Sequence, residues 1–130
     1  MTDDARRPAA QDANSAADPD CIFCKIVAGR IPSRKVHEDE HVLAFHDIAP
    51  WAPVHFLIIP KLHIPTLYDA ADPRHRDLLG HMLWLAPRLA LAQGVTNGFR
   101  SLINTGADGH QEVGHLHLHV MGGPRPWARG

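Results

Sequence analysis

His115-Leu-His-Leu-His-Val120 alternates imidazole and apolar side chains without a break. Successive side chains of a strand point to opposite faces, so His115, His117 and His119 share one face and Leu116, Leu118 and Val120 the other. The apolar face belongs in a core. The other carries three imidazoles spaced roughly 6.5–7 Å apart. Three readings compete: a solvent-facing strand that happens to carry histidine, a metal site built on His-x-His, and nucleophilic catalysis by one histidine whose neighbours set its tautomer and bind an anion. The segment ahead, Asn104-Thr-Gly-Ala-Asp-Gly-His-Gln-Glu-Val-Gly114, brings backbone N–H groups and three glycines beside the row. Such turns cradle phosphate, which favours phosphoryl or nucleotidyl transfer through a phosphohistidine.

Outward from this strand, His55-Phe-Leu-Ile-Ile-Pro60 is a continuous apolar run ending in proline and reads as a buried central strand. Val36–Glu38 and His41–His46 read as two strands joined at Asp39-Glu40, the second with Val42, Ala44 and His46 on one face and Leu43 and Phe45 on the other. Residues 49–54 hold two prolines and form a loop. Residues 22–30 predict a short helix stopped by Gly29, with Ile22, Phe23 and Ile26 on one apolar face. Asp72-Pro73 starts a long helix ending at Gly94, with a core stripe of Leu78, Leu79, Met82, Leu83, Leu85, Ala86, Leu89 and Ala90 and a kink at Pro87. Phe99–Asn104 is a further strand. The sum is an α+β fold: a mostly antiparallel five-stranded sheet, a short amino-terminal helix and one long helix.

The 130 residues suit one domain. No apolar run is long enough for a transmembrane helix, and a net charge of −1 gives no basic field for nucleic acid. Residues 1–20 contain no Ile, Leu, Val, Phe, Trp or Tyr and set two arginines against five aspartates. They read as a disordered acidic tail without a secretory h-region, ahead of a domain at 21–130, and imply a cytoplasmic protein with reduced thiols. Eleven histidines are many for this length; His37, His41, His46, His63, His75 and His81 look scattered and are assigned no chemistry.

The residues 115–120, followed by Met-Gly-Gly, resemble the histidine triad (HIT) motif. "IFCKIVAGRIP", "LAFHDIAPWAPVHFLIIPKLHI", "NTGADGHQEV" and Trp127 extend the resemblance over residues 21–130, in the order of the family's Hint branch. It implies a homodimeric nucleoside phosphoramidase. Such an enzyme cleaves the P–N bond of purine nucleoside 5′-phosphoramidates, typically of AMP, and its chemistry needs no metal. His117 would be the nucleophile forming a nucleotidyl-histidine, His119 would contact the phosphate, and His115 would orient the site with His55 beside it. Asn104 and the backbone of Gln111, Glu112 and Val113 would bind the phosphate. Asp47 would bind the ribose, and Ile22, Phe23, Ile26, Ile31, Phe45 and Ile48 would enclose the purine. Glu112 and a protonated histidine are both candidates for protonating the leaving amine. The Fhit-type dinucleoside polyphosphate hydrolases offer a second reading, against which Glu112 and Trp127 argue. A non-catalytic purine nucleotide-binding module is a third, marked by tight binding with negligible turnover.

The sequence departs from the family pattern at His110, where glycine is usual, at Gly114, where an aromatic is usual, at Pro87, and in its short carboxyl-terminal tail. Cys21-x-x-Cys24 is half of a tetrahedral zinc site and needs two more ligands. The resemblance implies His55 and His115, giving a structural Zn2+ that ties helix to sheet. Two reduced cysteines in a small core are the alternative.

Overall fold

The computed structural model describes residues 17–129; of the tail expected over residues 1–20, residues 1–16 lie outside them. The described chain forms α1 (Ile22–Val27), β1 (Lys35–Glu38), β2 (Val42–His46), β3 (Val54–Pro60), a 3-10 turn (Leu67–Asp69), α2 (Pro73–Ala92), β4 (Phe99–Leu102) and β5 (Leu118–Gly122). The five strands make one sheet in the order β1-β2-β3-β5-β4, with every neighbouring pair antiparallel. This is the expected α+β architecture, with β3 at the centre and buried from His55 to Pro60. Among the described residues no helix is long and apolar enough to cross a membrane.

Strand alternation gives the sheet two covered faces. Val42, Ala44, Phe56, Ile58, Leu118 and Val120 pack against Met82, Leu85, Ala86, Leu89 and Ala90 of α2. Leu43, Phe45, Leu57 and Ile59 pack on the other face against Cys21, Phe23, Cys24 and Ile26. Cross-strand partners share a face, and His119 pairs with Leu57, so the histidines stand on the α1 side.

Local signals explain the helix ends. Asp72 caps α2 by accepting the Arg74 N–H at 2.8 Å, with Pro73 in the first turn. Gly94 follows the helix with φ 84°. The helix runs through Pro87. Its stripe is narrower than expected, because Leu83 is exposed. Ile22, expected beside Phe23 and Ile26, is exposed as well: in one and a half turns of helix only Phe23, Cys24 and Ile26 reach the sheet. Before α1, the Cys21 N–H donates to the Asp18 carbonyl at 3.0 Å, so hydrogen-bonded chain begins by Asp18.

Candidate active site and metal centre

The histidine row starts before β5. Leu116 N–H donates to the Ile64 carbonyl at 2.7 Å and His115 N–H to the Val113 carbonyl at 2.8 Å, which fixes the two residues ahead of His117 outside the regular ladder. All three triad histidines are buried. His117 Nδ1–H donates to the His115 carbonyl at 2.7 Å, so the neutral ring keeps its lone pair on Nε2. Burial pushes the His117 pKa down, which keeps that ring neutral at pH 7. Phe23 meets it edge-on, with ring centroids 5.2 Å apart. The His119 ring lies 4.9 Å from that of His117, and burial, with His117 and His55 adding, pushes its pKa down to about 4.

His55 joins this row at His119, its Nε2 3.0 Å from His119 Nδ1 and 3.6 Å from a carboxylate oxygen of Asp47. His55 Nδ1 accepts the backbone N–H of Trp51 at 3.0 Å, so the proton of a neutral His55 sits on Nε2. That nitrogen has no lone pair for a cation. Asp47, His55 and His119 come within metal-ligating distance of one another, but His55 and His119 are hydrogen-bonded to each other.

The structure does not bring the four expected metal ligands together. The β3–β5 register sets His55 opposite Met121, six residues beyond His115 along the chain, a separation on the order of 20 Å in extended chain. His55 therefore does not reach His115 or the cysteines. His63, just past the end of β3, takes that place: Cys21, Cys24, His63 and His115 converge. Cys21 Sγ is 3.3 Å from His115 Nδ1, Cys24 Sγ 3.2 Å from His63 Nδ1, and the two Nδ1 atoms 3.3 Å apart. Zinc bonds of about 2.0–2.3 Å put tetrahedral ligand atoms roughly 3.3–3.8 Å apart, so the spacing fits. The tautomer fits too. His115 Nε2–H donates to the Pro60 carbonyl at 2.8 Å, leaving the Nδ1 lone pair facing the sulfurs. Backbone N–H groups of Cys24 and Asp18 point at the two sulfurs. Burial pushes the Cys24 thiol up to about 11, so a cation is what would make it a thiolate.

Of the residues expected around a purine, Phe23, Ile26 and Phe45 are buried together, Phe23 and Phe45 in edge contact at 5.5 Å, with Ile31 and Val113 against them. Ile22 is 46% exposed and Ile48 fully so. Asp47 is partly exposed, and one of its oxygens accepts the Ala49 N–H at 2.8 Å. Asn104 follows β4, and Glu112 is exposed. Gln111 braces the glycine-rich loop. Its side chain accepts the Gly106 N–H at 2.9 Å and donates to the carbonyls of Pro65 and Val113. Its own N–H donates to the Gly106 carbonyl, so of the three expected backbone donors this one is already engaged. His110 has φ 61°, left-handed, where the family pattern has glycine.

A row of buried histidines on one sheet face, under a short helix and beside a glycine-rich loop, defines a histidine triad protein, and the chain belongs to the HIT family. A family profile described as "Scavenger mRNA decapping enzyme C-term binding" matches residues 20–127. Protein HitA of Neisseria gonorrhoeae is 54% identical over 104 residues, covering 80% of this chain and 96% of that protein. A histidine triad protein from Clostridium difficile has a similar structure, with TM-score 0.79, 44% identity, and 84% of this chain and 95% of that one covered. A HIT family hydrolase from Legionella pneumophila gives TM-score 0.77 and 47% identity, over 82% and 95%.

Two features escaped sequence reasoning. His63 looked isolated because its partners come from α1 and from the segment before β5; the antiparallel register of β3 with β5 is the signal that reaches it. Trp51 carried only the signature of a proline-rich loop.

Proposed function

We propose that the protein is a hydrolase that cleaves the P–N bond of purine nucleoside 5′-phosphoramidates. The observation that carries this is the His117 Nδ1–H bond to the His115 carbonyl, which leaves a neutral, buried Nε2 as nucleophile. His117 Nε2 attacks phosphorus, the P–N bond breaks, and the amine leaves with a proton. Water then attacks the nucleotidyl-histidine, the P–Nε2 bond breaks, and the nucleotide leaves. Phe23, Ile26, Ile31 and Phe45 provide apolar surface for the base, and the Asp47 carboxylate suits a vicinal diol. Ile22 and Ile48 are exposed surface that a bound purine would cover. Asn104 and the backbone N–H groups of Glu112 and Val113 would bind the phosphate.

Cys21, Cys24, His63 and His115 would hold a structural Zn2+, which stabilises the junction of α1 and β5 when bound. The nucleophile would gain through His115, whose carbonyl it uses. Exposed Leu83, Trp84 and Leu91 on α2 support a homodimer, checked by light scattering.

The test is turnover of an AMP phosphoramidate panel and of dinucleoside polyphosphates, with and without chelator. His117→Ala should release no amine while still binding AMP. Wild-type turnover by that variant, or preference for dinucleotides, overturns the reading.

A further inference from the structure

Trp51 stands against the far end of the histidine row. Its indole stacks on His119, with ring centroids 6.2 Å apart and planes within 22°, and meets His55 edge-on at 5.9 Å. The Arg129 guanidinium also lies over the indole, 4.3 Å from its centroid, and the Arg129 N–H donates to the Trp51 carbonyl at 3.3 Å. The backbone N–H of Trp51 donates to His55 Nδ1. One residue thus touches both rings of the His55–His119 pair and is itself clamped by a cation from the carboxyl-terminal segment.

We propose that Trp51 is a positioning residue that fixes the tautomers of His55 and His119, with Arg129 holding it in place. The direction of each hydrogen bond follows from the first. Trp51 donates to His55 Nδ1, so His55 carries its proton on Nε2. That proton points to His119 Nδ1, 3.0 Å away, so His119 carries its own proton on Nε2. His117 has the opposite arrangement, with Nδ1–H on a carbonyl and a bare Nε2. Adjacent imidazoles on one strand face therefore present a lone pair and an N–H donor side by side, the first suited to attack on phosphorus and the second to holding a phosphate oxygen by a hydrogen bond. The tautomer assignment stands on these contacts alone; its value for catalysis rests on the phosphoramidase reading. The ring contributes by covering the pair: without it water reaches both nitrogens and the two tautomers exchange.

Histidine tautomers are read by long-range 15N–1H NMR correlations on protein labelled at histidine, with no substrate. The wild type should show His119 and His55 as Nε2–H and His117 as Nδ1–H. Trp51→Phe and Trp51→Ala both keep the backbone donor, and Trp51→Phe, which also keeps an aromatic ring over the pair, should retain the pattern. Trp51→Ala should give His119 as an exchanging mixture and reduce kcat by ~10-fold or more with little change in KM. Arg129→Ala should fall between them. A wild-type His119 protonated on Nδ1 overturns the proposal, as does a folded Trp51→Ala with unchanged tautomers. The wild-type spectrum decides even where Trp51→Ala does not fold. A correct spectrum without phosphoramidate turnover leaves Trp51 as assigned and removes the proposed reaction instead.

Discussion

The Nδ1 atoms of His63 and His115 lie 3.3 Å apart, each within 3.3 Å of a cysteine sulfur. Purified protein should therefore carry one zinc per chain by elemental analysis. Cys24→Ser and His63→Asn should each lose it and lower the melting temperature, since removing a ligand removes binding energy that is also folding energy. His55→Asn should keep it. Zinc retained by His63→Asn but lost by His55→Asn would reverse the ligand assignment.

Acid should unfold the protein through its buried histidines. Burial, then its neighbours His117 and His55, pushes the His119 pKa down to about 4, against about 6.5 in the unfolded chain. Above pH 6.5 both states are neutral and the group costs nothing. As pH falls from 6.5 to 4 the unfolded chain takes up a proton that the folded one refuses, and stability falls. His119 alone accounts for about 3 kcal/mol at the acid end. Urea titrations across this window should show a shallower loss for His119→Asn than for the wild type. Parallel curves would contradict the account.

Asp39 ties the β1–β2 turn to α2. One of its oxygens accepts Nε2–H from both His37 and His81, each at 2.8 Å, and the other accepts the N–H groups of His41 and Val42. Burial alone would raise its pKa; the hydrogen bonds win and hold it well below the usual carboxylate range. Asp39→Ala should cost about 1–3 kcal/mol in urea unfolding, because a donor is left unpaired at each partner. A loss under ~0.5 kcal/mol, ordinary for a surface site, would show that the tether holds little.

The glycine-rich loop makes two predictions of opposite sign. His110 adopts φ 61°, so His110→Gly should stabilise the fold by about 1 kcal/mol. At Gly109 an added Cβ would collide with the backbone of Thr105, so Gly109→Ala should destabilise it and weaken AMP binding. Thermal melts with nucleotide titration check both.

Much of this was legible because period-two alternation is strict where both sheet faces are covered. Leu43 and Phe45 faced α1, and Val42 and Ala44 faced α2, as their spacing requires. The triad face followed from the same rule. The metal ligands did not, because the choice between His55 and His63 depends on the β3–β5 register, which no local pattern states. The exposure of Ile22 was not legible because apolar spacing in a six-residue helix does not say how much of it the sheet can cover. Trp51 was silent because its contacts run to His119, on a strand far along the chain, and to Arg129, near the end of the chain.

The central claim is that His117 carries the nucleotidyl group. Enzyme mixed with a slowly turned-over AMP phosphoramidate and quenched within milliseconds, then analysed by intact and peptide mass spectrometry, reads it directly. The account predicts one adenylyl group per chain, acid-labile, on His117, and none in His117→Ala. Adenylation of another residue, or steady turnover with no covalent species in a burst-phase experiment able to detect one, would contradict it.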